Sequence, residues 1–470
     1  MAGDVVSRGL ILNLAEFVGT TEPALRLLIS IFFGYPLALL HRNFLYGRKG
    51  LIQHLYFLIS GIAIGYFNYG FEILHPLSAI LYTYLITTLL KGSLLSLQIS
   101  FVINFSHLLL GYYFTGTDDY DIKWTMPFCV LVLRLIGYSF NVYDGTLPDE
   151  KLSNDNKQVC LREPPSFLKY CGFMCFPASF LVGPQFPYKR YENFVNGVYR
   201  ESDDENVLPD CIGPALRRLG QGILYLALFQ GGSTYFTESY LMSESYEELS
   251  FLWRMVYLSF WARFQLYKYI SCWLITEGAL IMFSLSHNGK DNSGITQWNG
   301  CENVKLWLFE NATEFNHYIL SFNINTNHWV AQYIYKRLRF LGNRYLSQLF
   351  ALAFLAVWHG FHSGYYICFF NEFIVMFFEK DLRTMIEKHE KVVNFFRTPG
   401  ISHALYFVLR CYTFLFMGWC LAPFVLLKFP KYYQIYSSVY FIGFIFFLPW
   451  PIVYKPIVKL ALGKSKTNIE

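Results

Sequence analysis

The sequence predicts an all-α fold, a polytopic transmembrane helical bundle. Of the 470 residues, 54% are hydrophobic and only 15% are charged, whereas soluble domains average about 25% charged residues. Apolar stretches recur from one end of the chain to the other, and many approach the length of about 20 residues that crosses a bilayer. Because these stretches are continuous and do not alternate between apolar and polar residues, they predict helices rather than the strands of a barrel.

The apolar stretches predict about eleven membrane spans. In chain order they are Ala24–His41, Leu51–Tyr69, Pro76–Leu90, Leu94–Phe114, Trp124–Asn141, Ser166–Gly183, Ala215–Phe236, Ser250–Leu285, Leu346–Phe370, Ala404–Leu427 and Gln434–Tyr454. The sequence contains no internal repeats and no low-complexity linkers. We therefore expect residues 1–470 to form a single membrane-embedded domain.

Polar segments separate the predicted spans. Residues 118–123, 144–165 and 188–214 are predicted to be loops, and the last of these contains the acidic cluster ESDDE at 201–205. The segment Glu372–Arg397 is dense in charges of both signs and predicts an amphipathic or extramembrane helix with a solvated face.

Basic residues at the two ends predict the orientation of the chain. Arg42, Arg48 and Lys49 follow the first span, and a basic tail at 455–470 follows the last. The lysines of this tail are Lys455, Lys459, Lys464 and Lys466. The positive-inside rule assigns both groups to the cytosol, which requires an odd number of crossings and a lumenal N-terminus.

The middle of the chain does not fit simple counting. Counting the predicted spans from a lumenal N-terminus assigns the basic segment Lys336–Arg344 to the lumenal side. The predicted span Ser250–Leu285 is also too long for one untilted crossing. We therefore expect a partial or re-entrant segment between Phe251 and Val330. Because its side of the membrane is unsettled, we expect the glycosylation sequon at Asn311 to be unused.

The composition argues against several kinds of site. The net charge of +5 is small and dispersed, so it does not predict a nucleic-acid partner. The ten cysteines include no CxxC pair. Cys171 and Cys175 lie four residues apart among Phe, Met and Pro, so we expect buried thiols that pack as small apolar side chains. We expect neither a metal site nor a cofactor.

One histidine stands inside an apolar stretch. His359 lies between Trp358 and Gly360, and no Asp, Glu, Lys or Arg occurs from residue 345 through 371. An ionisable ring there costs free energy on membrane insertion, so it needs a structural or a chemical reason. A ring hydrogen-bonded to a neighbouring helix and a catalytic ring both fit this context. A metal pair with His362 lacks an obvious third ligand.

Two sequence patterns favour the catalytic interpretation. The pattern W-H-G-x-x-x-G-Y-x-x-x-F is complete, and its members are Trp358, His359, Gly360, Gly364, Tyr365 and Phe369. A W-N-x-x-T-x-x-W pattern lies upstream as FNINTNHW, with Phe322 replacing the first Trp and with the members Asn323, Thr326 and Trp329. These elements resemble the signature of the membrane-bound O-acyltransferase family, in its lysophospholipid acyltransferase branch.

The resemblance extends over most of the chain. It includes ARFQLYKYISCWLITEG from Ala262 to Gly278 and GPQFPYKRY from Gly183. The Trp-Asp-Gly element of the family appears here as Trp298-Asn299-Gly300, so a role that depends on its acid is not expected in this chain.

The resemblance implies a specific reaction in the endoplasmic reticulum membrane. An acyl group, polyunsaturated by preference, would pass from acyl-CoA to the sn-2 hydroxyl of a lysophospholipid of the choline, ethanolamine or serine type, in a buried catalytic tunnel. An alcohol needs a base that removes its proton as it attacks, and a buried neutral imidazole suits this task. We therefore assign His359 as the general base. Asn323 would donate to the oxyanion or orient His359.

Other residues are expected to bind the substrates. Trp358 and Tyr365 would line the tunnel, and Thr326 and Trp329 accompany Asn323 in the upstream element. The densest basic segment between Asn323 and His359 is expected to meet the CoA phosphates, with a membrane-surface basic belt as the alternative. Its members are Lys336, Arg337, Arg339 and Arg344.

Two other functions stay open from the sequence. A member of the same family could use another acceptor, such as a sterol, a diacylglycerol or a secreted protein. A membrane transporter with His359 in its substrate or proton path is a different class, but no inverted repeat supports it. Whether the chain pairs into a homodimer is also left open.

Overall fold

Helices account for the regular structure of the chain. The computed structural model describes residues 2–117, 122–200 and 209–463, with side chains from residue 9 onward. Within these ranges the only other paired backbone consists of two isolated β-bridges, Lys290 with Thr296 and Val304 with Phe322. The all-α prediction is therefore confirmed. The acidic cluster at 201–205, most of the predicted loop 118–123, and Lys464 and Lys466 lie outside the described residues.

The α-helices are numbered in chain order. The first group is α1 Ala2–Val18, α2 Glu22–Leu40, α3 Gly50–Tyr69, α4 Leu74–Leu89, α5 Leu94–Thr115, α6 Thr125–Gly145, α7 Asn154–Val159, α8 Phe167–Met174, α9 Tyr188–Val195, α10 Ile212–Tyr235, α11 Glu238–Leu241 and α12 Glu244–Glu247. The second group is α13 Phe251–Met282, α14 Leu306–Glu310, α15 Phe315–Ser321, α16 Ile324–Val330, α17 Arg344–His359, α18 Ser363–Glu387, α19 Glu390–Arg397, α20 Ile401–Leu426, α21 Phe429–Ser438, α22 Ile442–Phe447 and α23 Lys455–Leu462. Short π-helical turns lie at His41–Leu45, Ala331–Tyr335 and Trp450–Tyr454, and 3₁₀ turns lie at Gly70–Ile73, Asp149–Lys151 and Lys336–Leu341.

Six helical stretches in the described chain are long and apolar enough to cross a membrane. They are Glu22–Leu45, Gly50–Leu89, Leu94–Thr115, Thr125–Gly145, Ile401–Leu426 and Ile442–Leu462. They agree with the prediction of a polytopic membrane protein. The predicted number of about eleven spans stays a prediction.

Three predicted spans do not form single spanning helices. One is the predicted span 434–454, where α21 ends at Ser438 and α22 begins at Ile442. Over 166–183 the structure has only α8, whose eight residues reach about 12 Å. Pro177 and Pro184 prevent a longer helix there, because proline lacks the N–H that an interior helical position needs. The predicted span 346–370 is broken after His359, where α17 ends, and α18 begins at Ser363. The charged segment 372–397 is divided between the end of α18 and α19, and its extramembrane position stays a prediction.

The first compact unit comprises Met1–Tyr225, Ile270–Asn303 and Asn323–Leu338. Helix α6 is central to this unit, because every residue from 131 to 142 is buried and a helix that is buried on all sides must be surrounded by protein. The guanidinium of Arg134 lies within this stretch. It donates to the carbonyl oxygens of Phe173 and Met174 at the C-terminus of α8, both at 3.2 Å, and to the hydroxyl of Ser179 at 2.9 Å. The negative end of α8 thus helps to stabilise a buried cation.

The second compact unit comprises Leu226–Tyr269, Val304–Phe322 and Arg339–Glu470. Helix α18 packs in this unit against α17 and α20. Its buried positions recur every three or four residues, as expected for one helix face, and include Gly364, Tyr365, Cys368, Asn371, Val375 and Phe378. Polar contacts fix this face: Asn371 donates to the Tyr436 hydroxyl at 2.6 Å, and the Trp450 indole donates to Asp381 at 2.9 Å.

Candidate active site

Gly360 ends α17 immediately after His359. The backbone of Gly360 has φ of 127°, a conformation that side chains disfavour and that glycine adopts without strain. Gly364, at the start of α18, donates its N–H to the carbonyl oxygen of Leu427 at 3.0 Å. A Cβ atom at position 364 would lie 2.0 Å from the carbonyl oxygen of Pro423. The two glycines of the W-H-G-x-x-x-G motif therefore have separate tasks, a chain reversal and a close approach to α20.

The His359 ring is held by aromatic packing. Ring centroids lie 4.6 Å from Trp358, 5.4 Å from Tyr365, 5.5 Å from Phe369 and 5.0 Å from Phe424. Trp358 and Tyr365 are buried, and His359 itself is half-buried. Within the described chain, no hydrogen bond or carboxylate contact to this ring occurs. An imidazole with partial access and no charged neighbour is able to accept a proton from a ligand that reaches it.

His362 occupies a different position from His359. It precedes α18 as the N-cap residue, is half-buried, and its ring centroid lies 5.9 Å from that of Tyr365. In the part of the chain that the structure describes, no three His, Cys, Asp or Glu side chains are grouped so that they could hold a metal ion.

Asn323 adopts a left-handed backbone conformation at the start of α16. Its φ and ψ are 50° and 44°, a region that Asn tolerates better than most residues. The side-chain oxygen of Asn323 accepts a hydrogen bond from the Asn303 amide at 3.4 Å. The Asn303 side-chain oxygen in turn accepts from the backbone N–H and the side chain of Asn325, at 3.0 and 3.1 Å. Asn303 thus connects both ends of the 323–325 turn.

A buried acid supports Asn303 from helix α13. Glu277 is 3% exposed, and it accepts from the Asn303 backbone N–H at 2.9 Å and from the Arg218 guanidinium at 2.7 and 2.6 Å. Charge-assisted bonds of this kind are short and strong, and they keep the acid in one position. Sequence reasoning missed Glu277 and Asn303. The available signal was an acid inside an apolar helix, which seldom occurs without a partner.

A cavity of about 90 Å³, lined by both polar and apolar side chains, borders the same upstream element. Asn325, Trp329 and Gln332 line one part of it, and Tyr138 and Asn141 of α6 line another. Its volume fits a few water molecules or one small polar group of a ligand. Thr326 and Trp329 are both buried, so these two motif members pack within the unit.

Two of the four cations of the predicted basic segment are paired with acids. Lys336 forms an ion pair with Asp155, and Arg337 forms one with the buried Asp144. The hydrogen bond from Lys336 lowers the pKa of Asp155 below its usual value. Arg339 is exposed. Two of the cations expected to meet phosphate therefore have carboxylate partners already.

The predicted site residues are distributed over both compact units. Asn323, Thr326, Trp329, Lys336 and Arg337 belong to the first unit. The second unit contains the remaining predicted site residues, Arg339, Arg344, Trp358, His359 and Tyr365. The structure brings Trp358, His359 and Tyr365 into one aromatic cluster, and it links Asn323 to Asn303 within the first unit.

Comparison with known proteins identifies the family. Residues 109–422 match the MBOAT, membrane-bound O-acyltransferase family. The chain is 45% identical to lysophospholipid acyltransferase 5 of Drosophila melanogaster over 459 residues, which cover 96% of this chain and 90% of the relative. It is 42% identical to the Homo sapiens protein of the same name over 436 residues, 93% of this chain and 89% of the relative. The Caenorhabditis elegans protein of that name is 36% identical, with 96% of both chains covered. The chain belongs to the membrane-bound O-acyltransferase family.

Proposed function

We propose that the protein is a lysophospholipid acyltransferase that remodels membrane phospholipids. It transfers a fatty acyl group, polyunsaturated by preference, from acyl-CoA to the sn-2 hydroxyl of lysophosphatidylcholine and of the ethanolamine and serine forms. The observation that carries the proposal is identity of 36–45% to lysophospholipid acyltransferase 5 proteins over nearly the whole chain. The multi-pass character of the chain and the lipid substrates fit residence in the endoplasmic reticulum membrane.

His359 is proposed as the general base. The imidazole takes the hydroxyl proton while the sn-2 oxygen forms its bond to the thioester carbon. The tetrahedral intermediate then collapses, the carbon–sulfur bond breaks, and the imidazolium returns the proton to the CoA thiolate. Its surroundings support this role, because four aromatic rings hold the imidazole and no carboxylate contacts it within the described chain. Both factors favour an uncharged ring before the substrate arrives.

Asn323 is proposed as the donor that stabilises the oxyanion, or as the group that orients His359. An amide adds no net charge and is effective when its position is fixed before the reaction. The hydrogen bond to Asn303 and the anchoring of Asn303 by Glu277 support a fixed position. Thr326 and Trp329, both buried, would maintain the turn, and Trp358 and Tyr365 would line the acyl tunnel.

The basic segment is proposed to bind the CoA phosphates. Arg339 is exposed and needs no rearrangement. Lys336 and Arg337 would have to exchange Asp155 and Asp144 for phosphate oxygens, so their contribution depends on the loss of two ion pairs. Bidentate Arg–phosphate contacts are strong enough to make such an exchange reasonable.

The test uses microsomes that contain the protein and labelled acyl-CoA. A panel of lysophospholipids, a sterol and a diacylglycerol is offered as acceptors, and the expected product is diacyl phospholipid. His359→Ala and Asn323→Ala should both insert normally and lose nearly all of this activity. His403→Ala, an exposed histidine on α20, is the matched control and should remain active. Product with the sterol alone would overturn the acceptor assignment, and full turnover by His359→Ala would overturn the mechanism.

A further inference from the structure

Glu372 of α18 is a partly buried acid without a partner. Within the described chain its carboxyl group makes no hydrogen bond and no ion pair, and it is half-buried. Other acids of the second unit do have partners: Glu310 contacts Arg263, Glu379 accepts from the backbone N–H of Phe315, and Asp381 contacts Lys455. An acid that is withdrawn from water and left uncompensated is costly, so its retention calls for a ligand or a function.

Glu372 lies on the α18 face that reaches His359. Tyr365 and Phe369 of this face contact the His359 ring. Residues 365, 369 and 372 are spaced by four and three positions, so they share one side of the helix. From Tyr365 to Glu372 the helix axis advances about 10 Å. Glu372 therefore follows Phe369 by one helical turn, beyond the two residues of α18 that contact the proposed base.

Helix α20 packs against this side of α18. Phe424 contacts the ring of His359 at 5.0 Å and that of Tyr365 at 5.0 Å. One turn earlier on α20, the Cys420 thiol donates to the carbonyl oxygen of Cys368 on α18 at 3.7 Å. The His359 ring thus lies among Tyr365 and Phe369 of α18 and Phe424 of α20, and Glu372 lies one helical turn beyond Phe369.

The reaction itself does not need this acid. The proton that His359 removes from the hydroxyl returns to the CoA thiolate, so no second proton acceptor is required. A cation is the natural complement of an unpaired carboxylate beside aromatic rings such as Phe369. In an extended phosphocholine or phosphoethanolamine head group, the nitrogen lies seven bonds from the sn-2 carbon, or roughly 8 Å. This reach falls within the one to two helical turns, roughly 5–10 Å, that separate Glu372 from Phe369 and Tyr365, the residues of α18 that contact His359.

We propose that Glu372 binds the ammonium group of the lysophospholipid head group, so that the acid selects acceptors that carry a positive charge. The inference rests on the proposed function and extends it, because it names the feature of the acceptor that the protein recognises, the positive charge of the head group. Acceptors with an uncharged glycerol or inositol head group lack this contact. The unpaired carboxylate of Glu372 offers these acceptors no favourable interaction, and it repels their negatively charged phosphate.

The test compares two acceptors with the same acyl chain, lysophosphatidylcholine and lysophosphatidylglycerol. The measured quantity is the ratio of their kcat/KM values for the wild-type protein, Glu372→Gln and Glu372→Asp, purified in nanodiscs. Loss of a charged contact should reduce kcat/KM for the choline acceptor in Glu372→Gln by about tenfold or more, mainly through KM. For the glycerol acceptor kcat/KM should stay constant or rise. Glu387→Gln, an exposed acid at the end of the same helix, should change neither value.

Several results would overturn the inference. Equal losses of kcat/KM for both acceptors in Glu372→Gln, or a raised KM for acyl-CoA alone, would show that Glu372 does not recognise the head group. An unchanged ratio in Glu372→Gln would do the same. If that variant does not fold, Glu372→Asp decides, because its shorter carboxylate should weaken only the choline acceptor. No transfer by the wild-type protein to either acceptor would refute the proposed function, and this inference with it.

Discussion

Replacing Asn303 by Ala tests whether the Asn323 turn must be held for catalysis. The substitution removes the side-chain bonds to Asn323 at 3.4 Å and to Asn325 at 3.0 and 3.1 Å. It leaves the backbone bond from Asn303 to Glu277 in place. The change is therefore confined to the contacts that connect Asn303 to the turn.

The magnitude follows from these contacts. Two bonds of ordinary length contribute about 1 kcal/mol each, and the bond at 3.4 Å contributes less, so the turn loses about 2 kcal/mol. If this loss appears in the transition state, kcat falls about 30-fold. Because neither acyl-CoA nor the acceptor is proposed to contact Asn303, both KM values should change by less than about threefold, the range that small indirect effects produce.

The assay measures steady-state acyl transfer to lysophosphatidylcholine by purified protein, together with the thermal midpoint in the same nanodiscs. Asn288→Ala is the matched control, because Asn288 is exposed and, among the described residues, its side chain bonds only Asn299, at 2.9 Å. This control should retain kcat within about twofold. A wild-type kcat in Asn303→Ala would refute the reasoning, and so would a loss that appears entirely in KM.

Two further substitutions test other contacts. Gly364→Ala places a Cβ 2.0 Å from the Pro423 carbonyl oxygen, so the thermal midpoint should fall by an amount that corresponds to about 1–3 kcal/mol. In the control Gly231→Ala the new Cβ meets open space, so the midpoint should not fall. Equal thermal midpoints for the two variants would contradict the packing argument. Arg337→Met leaves the buried Asp144 carboxylate unpaired and should cost about 3–5 kcal/mol, which the added Asp144→Asn change should largely restore. If Arg337 also binds CoA, the double variant Arg337→Met/Asp144→Asn keeps a raised KM for acyl-CoA. Wild-type stability of Arg337→Met alone would exclude the ion pair with Asp144 as the main role of Arg337.

The helical class of the protein was predictable because apolar stretches and scarce charges are properties of the chain itself. The break after His359 was not, since hydropathy treats residues 346–370 as one stretch and does not register that Gly360 has φ of 127°. Over 166–183 hydropathy also outweighed Pro177 and Pro184, although proline is a local signal that the sequence does carry.

The site was predictable in its motif residues and not in their supports. His359 and Asn323 stand out because a pattern contains them. Glu277 and Asn303 are 26 positions apart and become neighbours only through the fold. The acid partners of Lys336 and Arg337 are 181 and 193 positions away, so the sequence shows the cations but not the acids that neutralise them.

The most direct measurement of the proposed chemistry is the single-turnover rate of acyl transfer by His359→Gln with both substrates saturating. Glutamine retains a polar side chain of comparable reach but takes up no proton at neutral pH. The account predicts a rate about 10²–10⁴-fold below that of the wild-type protein, with substrate binding retained. A rate within a few-fold of wild type, in a variant that binds both substrates, would contradict the assignment of His359 as the general base.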